Sequence, residues 1–209
     1  RRDAIVAACE EIRAGKLHAQ FVVDLIQGGA GTSTNMNANE VIANRALKAL
    51  GHAPGDYARL HPNDHVNRSQ STNDVYPTAI RLAVLEACAP LRAEQQRLAD
   101  AFAERARAFA PGIKVGRTQL QDAVPMTLGQ EFASYGAMLA GDERALRAAL
   151  LPLREISLGA TAIGTGINAP PGYAAVVRAE LAQITGLELV TAPDLIAATQ
   201  DTDAFVALS

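Results

Sequence analysis

From Asp74 to Ala110 the sequence reads as one long helix, and this segment constrains the fold more than any other. Pro77 falls in its first turn, where a missing N–H does no harm, and Pro111-Gly112 stops it. At 1.5 Å per residue it is about 50 Å long. Apolar residues step by fours and threes through Val84, Cys88, Leu91, Leu98, Phe102 and Phe109, interrupted by Gln95 and Arg105. That period belongs to a helix packed in a bundle at a shallow angle. Pro90 lies inside the helix and is expected to kink it.

The rest of the chain supplies partners for such a rod. A second long helix is predicted from Pro125 to about Glu155, with Phe132, Tyr135, Leu139, Leu146 and Leu150 on its inner face. Shorter helices are predicted over Ala4 to Ala14 with Gly15 as cap, Met36 to Leu50 ended by Gly51, Gly172 to Thr185, and Pro193 to Leu208. Phe21 to Ile26 is apolar, His52 to Arg68 is a loop, and Gly159 to Pro171 is Gly/Thr-rich and irregular. Ile113 to Val124 alternates apolar and polar residues as a short β-like excursion. The class is all-α, a long-helix bundle. A composition boundary near residue 70 separates mixed short elements (1–70) from bundle helices (71–209).

Composition narrows the partners. Hydrophobic residues make up 49 % of 209 while aromatics make up 4 %, so Ala and Leu fill the core, as in close-packed helices. The formal charge of −3, with no Lys/Arg run, supports neither a nucleic-acid nor an anionic-membrane partner. Cys9 and Cys88 read as buried thiols of a reducing cytosol, outside any metal-ligand spacing. The start carries no signal-peptide pattern, and no run reaches the ~18 apolar residues of a membrane span. Lacking an initiating Met and a capping signal after Val206-Ala207-Leu208-Ser209, the sequence is expected to be cut at both ends.

Three polar loops carry chemistry: Gly31-Thr32-Ser33-Thr34-Asn35, Ser69-Gln70-Ser71-Thr72-Asn73-Asp74, and Gly116-Arg117-Thr118-Gln119-Leu120-Gln121-Asp122. Two of them immediately precede helices. A helix N-terminus has free N–H groups and a partial positive charge, so hydroxyls and amides there bind a carboxylate without a formal counter-charge. Taken singly, Ser71 or Asn73 reads as an ordinary N-cap. Gly28-Gly29-Ala30-Gly31 lacks the Lys of a phosphate loop and reads as a tight turn. In His61-Pro62-Asn63-Asp64-His65, a structural role suits His65, while His61 stays open. Glu131 reads as a cap partner or ion-pair member. The residues alone thus point to a helical protein with anion sites for a small carboxylate.

These loops also resemble a family. Gly29 to Glu40, His61 to Asp74, and Gly116 to Pro125 are similar to three active-site segments of the fumarase/aspartase superfamily, and the resemblance spans nearly the whole chain. It implies a helical-bundle fold with a small N-terminal domain remnant. Gln119, where fumarases carry His, resembles a branch that eliminates ammonia from L-aspartate to give fumarate; the alternatives are malate dehydration and a non-catalytic scaffold. The resemblance further implies that Thr32, Ser71 and Thr72 hold the carboxylate beside the carbon losing its proton. Asn73 holds the amino group, and Thr118, with Gln119 adjacent, contacts the other carboxylate. His61, Asn63 and Asp64 match an outer dicarboxylate site. The family's catalytic Ser loop, Gly-Ser-Ser-x-Met-Pro-x-Lys-x-Asn, is absent, so this chain alone is expected to be inactive. The implied assembly is a cytoplasmic homotetramer with each site shared among three subunits, without cofactor or metal.

Overall fold

The computed structural model describes residues 1–26 and 29–209; Gln27 and Gly28, at the head of the first polar loop, lie outside the described residues. Helices dominate, and the chain divides into two compact units: Arg1–Ile80 with Glu155–Asp201, and Arg81–Arg154 with Thr202–Ser209.

In the first unit, α1 (Arg2–Arg13) and α2 (Thr32–Ala49) pack together. Ala43, Ala46, Leu47 and Leu60 are fully buried, with Ile5, Tyr57 and Val66 against them. Burial of each leucine contributes about 1.5–3 kcal/mol. A two-pronged ion pair from Arg45 to Glu11, at 2.5 and 2.7 Å, ties α2 to α1, and Arg45 holds the Glu11 carboxyl below the usual carboxylate range. Gly15 and Gly51, both at positive φ, follow the ends of these helices as expected. The helix α2 begins at Thr32, four residues before the predicted Met36. Gly31 takes φ +83°, and the weak helix formers that follow are held by buried amides described below. Before α3 (Thr72–Ala108) the chain makes a wide helical turn at Pro62–Val66. Beyond it, Glu155–Ile156 and Val190–Thr191, here β3 and β4, form a short parallel pair that the sequence did not announce. The helix α5 (Tyr173–Thr185) runs between Gly172 and Gly186, both left-handed. The single helix predicted to Leu208 is two, α6 (Leu195–Gln200) and α7 (Asp203–Val206). Asp201 is extended between them, and polar Gln200-Asp201-Thr202-Asp203 offers local alternatives to helical hydrogen bonds.

The second unit holds the rest of α3, a β-hairpin, α4 (Leu128–Leu150) and α7. α3 remains helical through Pro90. From Leu85 onward its less exposed positions are 85, 88, 92, 95, 99, 102, 106 and 109, alternating threes and fours in a heptad seam, while Arg81, Leu82 and Val84 are all shielded at its start. Leu91 and Leu98, predicted on the inner stripe, are half-exposed at 51 and 48 %, and Gln95 sits in the seam instead. The matching seam on α4 is 129, 132, 136, 139, 143, 146 and 150. Phe109 against Phe132 at 5.1 Å, Gly136 beneath Phe102, and Arg92 on Glu143 at 2.6 Å run in opposite directions along the two helices, so they pack antiparallel. Gly129 is required there: a Cβ would lie 2.5 Å from the Ala106 carbonyl oxygen. Tyr135 lies at the seam's edge, 40 % exposed and 5.4 Å from Phe102. Neither cysteine is buried as expected: Cys9 is exposed and Cys88 half-buried, because Ala8, not Cys9, takes the inward position on α1.

Between these helices β1 (Ile113–Thr118) pairs with β2 (Gln121–Thr127), with a bulge between Val115 and Arg117. Thr127 caps α4 through a reciprocal capping box with Gln130. Glu131 is an ion-pair member, 2.6 Å from Lys114.

Candidate active site

In the first unit the starts of α2 and α3 are joined. Asn35, in the second turn of α2, donates to Thr72 Oγ1, at the first residue of α3, at 3.0 Å. Gly31 presses against Tyr76: a Cβ there would lie 2.2 Å from the ring. The segments carrying Thr32 and Ser71-Thr72-Asn73 therefore meet.

Ser71 is the N-cap of α3. Its Oγ accepts from Asn73 N at 3.2 Å, and Asp74 Oδ1 accepts from Ser71 N at 2.9 Å. Ser71 thus caps the second N–H of the helix, and Asp74 at the third position returns a bond to the cap's own N–H. The ordinary reading of Ser71 as a cap thus holds alongside any ligand role. Thr32 is exposed at the first turn of α2.

Sequence reasoning missed the residue that organises this corner. Asp74 is fully buried. Besides Ser71, it accepts N–H bonds on Oδ2 from Gly159 at 3.0 Å and Thr161 at 2.9 Å. Burial pushes its carboxyl up from the ordinary range, opposed by the N–H groups of Ser71, Thr161, Gly159 and Val75. Asn73 reinforces the clasp, its Nδ2 donating to the Ala162 carbonyl at 2.7 Å. The Gly/Thr-rich stretch after Gly159 therefore belongs to the candidate site. Its one sequence signal was the density of glycine and threonine, with Gly159 at φ +98° and Thr161 at +58°.

A cleft of 520 Å³ opens beside this clasp, lined among others by Asn63, Asp64, Arg68, Ser71, Thr161 and Asn168. His61 points its chemistry elsewhere: Nδ1 accepts from Asn63 N at 3.1 Å and Asp64 N at 3.4 Å, capping the turn. His65 is structural as expected, its Nδ1 accepting from His61 N and its Nε2 3.0 Å from Arg1 Nη1. Among the described residues no cluster of His, Cys, Asp or Glu could hold a metal ion.

Thr118 and Gln119 belong to the second unit, at the hairpin end, and both are exposed. Gln119 and Leu120 form its two-residue turn at φ +49° and +66°, the double left-handed geometry of a type I′ turn. Neither residue is one that adopts this conformation cheaply.

A family model described as "Lyase" matches residues 1–209. The chain is 55 % identical to an aspartate ammonia-lyase of Helicobacter pylori over 206 residues, 99 % of this chain and 44 % of that protein. It is 58 % identical to one from Pseudomonas aeruginosa, over 100 % of this chain and 44 % of that protein. A crystal structure of a fumarate lyase:delta crystallin from Brucella melitensis bound to cobalt superposes with TM-score 0.96 at 57 % identity, covering 99 % of this chain and 45 % of that one. A class II fumarase from Schistosoma mansoni superposes at 0.89 with 33 % identity, covering 99 % and 46 %. The chain thus spans about 44 % of the length of the curated relatives it matches.

Proposed function

We propose, from the premise that this chain belongs to the lyase family, that the full-length protein eliminates ammonia from L-aspartate to give fumarate. The observation that carries the reading is the joining of two helix starts rich in uncharged donors, Thr32 on α2 and Ser71-Thr72-Asn73 on α3. Two features favour aspartate over malate. Gln119 stands in the third segment where a fumarase would carry His. Identity is also higher to relatives named aspartate ammonia-lyase than to the class II fumarase, 55 and 58 % against 33 %.

The chemistry follows from the donors. A base removes a proton from the carbon beside one carboxylate, and the electron pair moves into that group as an aci-carboxylate. The pair then returns to form the C=C bond as the C–N bond breaks and ammonia leaves. Charge builds on one carboxylate in the first step, so preoriented O–H and N–H donors there lower the barrier. In this reading Thr32, Ser71 and Thr72 hold that carboxylate, and Asn73 holds the amino group. Thr118 and Gln119 serve the other carboxylate. Asn63 and Asp64, with His61 behind them, form an outer dicarboxylate site. The base Ser belongs to a segment outside this sequence. The protein works in the cytoplasm as a homotetramer whose sites each draw on three subunits; residues 1–70 belong to an N-terminal domain and 71–209 to the central bundle. The chemistry calls for no cofactor.

The full-length protein is assayed for fumarate release from L-aspartate and for malate dehydration. Release from aspartate is expected. Malate turnover without it would establish the hydratase instead, and turnover of neither would leave a non-catalytic scaffold.

A further inference from the structure

Asn35 and Asn39 lie one turn apart on α2, 7 and 5 % exposed, and Asn67 closes on both. Buried amides cost free energy unless their hydrogen bonds are met, and none of the proposed substrate contacts uses these three. Their orientation is determined step by step. Asn39 Nδ2 donates to the Asn35 backbone carbonyl at 2.8 Å, an atom that only accepts. The same nitrogen lies 3.1 Å from Asn35 Oδ1, so that end of Asn35 is oxygen. The Asn35 nitrogen is thereby turned to the other side, where it meets Thr72 Oγ1 at 3.0 Å and Asn67 Oδ1 at 3.4 Å. The Thr72 hydroxyl accepts in this contact, and its one hydrogen remains to be donated. A hydroxyl held in this sense offers its hydrogen to an oxyanion and only its second lone pair to an ammonium group.

Resting on the aspartate reading above, we infer that Asn35, oriented by Asn39 and Asn67, is a positioning residue that makes Thr72 a donor to the substrate carboxylate. It acts through Thr72, without touching substrate. The buried amides thereby set which end of an amino diacid the Thr72 hydroxyl receives.

The test is a double-mutant cycle on the full-length protein, read as kcat/KM for L-aspartate beside a thermal melt. Asn35→Ala is expected to lower kcat/KM roughly three- to tenfold, the weight of one neutral hydrogen bond. In a Thr72→Val background the same change is expected to cost less than about twofold, because the hydroxyl it orients is gone. Asn35→Asp reverses the polarity, accepting the Thr72 hydrogen and adding a negative charge, and a loss of about a hundredfold or more is expected. Should the alanine variant fail to fold, Asn35→Ser is read in the same cycle. Equal losses with and without the Thr72 hydroxyl, or no loss at all, would overturn the inference and leave a purely structural network. Wild-type turnover is measured first. No fumarate from L-aspartate would remove the function reading and this inference together, whereas normal wild-type turnover with an additive cycle removes the inference alone.

Discussion

The two regions that carry candidate ligand groups are built in opposite ways. Around Ser71-Thr72-Asn73 nearly every polar group is committed inside the chain: Asp74 gathers three backbone N–H groups, Asn35 holds Thr72, and Asn73 holds Ala162. At the hairpin tip Thr118, Gln119 and Leu120 are exposed, Leu120 fully, and along its strands apolar Ile113 and Val124 stand 82 and 65 % exposed. Its turn runs through two left-handed residues that are not glycine. Side chains in the first region are preorganised by their own chain. Those in the second have a backbone shape but little to hold them.

The largest expected effect breaks the first region. Asp74→Ala leaves the N–H groups of Ser71, Gly159 and Thr161 without their acceptor in a buried corner. Each orphaned group costs about 1–3 kcal/mol, so a loss of about 3–5 kcal/mol is expected in urea unfolding, since partial solvation softens the sum. A loss below about 1 kcal/mol would mean that the clasp is replaceable and the contrast overstated.

Glycine chemistry sharpens the comparison, with opposite signs in the two regions. Gly31→Ala adds a Cβ 2.2 Å from the Tyr76 ring at φ +83°. It is expected to cost about 3 kcal/mol, from the left-handed penalty and overpacking together. Leu120→Gly removes an exposed side chain from φ +66°. It is expected to stabilise the chain by up to about 1 kcal/mol, the left-handed strain relieved less the entropy of glycine. If Leu120→Gly instead weakens the protein or its assembly, the leucine is packed against a neighbouring subunit. Unfolding midpoints at two protein concentrations separate these outcomes.

Much of this contrast was legible in the sequence, for definite reasons. Long periodic stretches announce helices; Gly15 and Gly51 mark ends because glycine enters the left-handed backbone without a Cβ penalty, and Pro111 because it has no N–H to continue a helix. The hydroxyls of Ser71 and Thr72 were visible because cap residues have a strong preference. The seam of α3 was misread at Leu91 and Leu98 because burial in a bundle follows the heptad geometry, so Arg92 and Gln95 enter it while leucines about a quarter turn away do not. Asp74 and Thr161 were missed because they act across 87 residues, and no local pattern encodes that pairing. The orientation of Asn35 depends on three side chains meeting in space, which spacing alone does not reveal.

The smallest expected effect is the response to pH, and it distinguishes buried order from surface pairing. Arg45 holds Glu11 low, and Arg92 with Arg147 holds Glu143 low. A carboxyl whose folded pKa is depressed contributes stability above its unfolded value, about 4.3 for Glu. That stability is lost as pH falls through the folded value. Asp74 behaves in the reverse sense, because burial raises its folded pKa. Its contribution is complete below its unfolded value and declines as pH rises from there toward the raised one. The urea midpoint plotted against pH is therefore expected to have two limbs meeting near the ordinary carboxylate range. Arg45→Met and Arg92→Met should each flatten the acid limb, leaving the upper one unchanged. Asp74→Asn should remove the upper limb alone. A profile in which Asp74→Asn flattens the acid limb instead would mean that the bonds from Ser71, Gly159 and Thr161 outweigh burial, making the clasp a low-pKa carboxylate rather than a raised one.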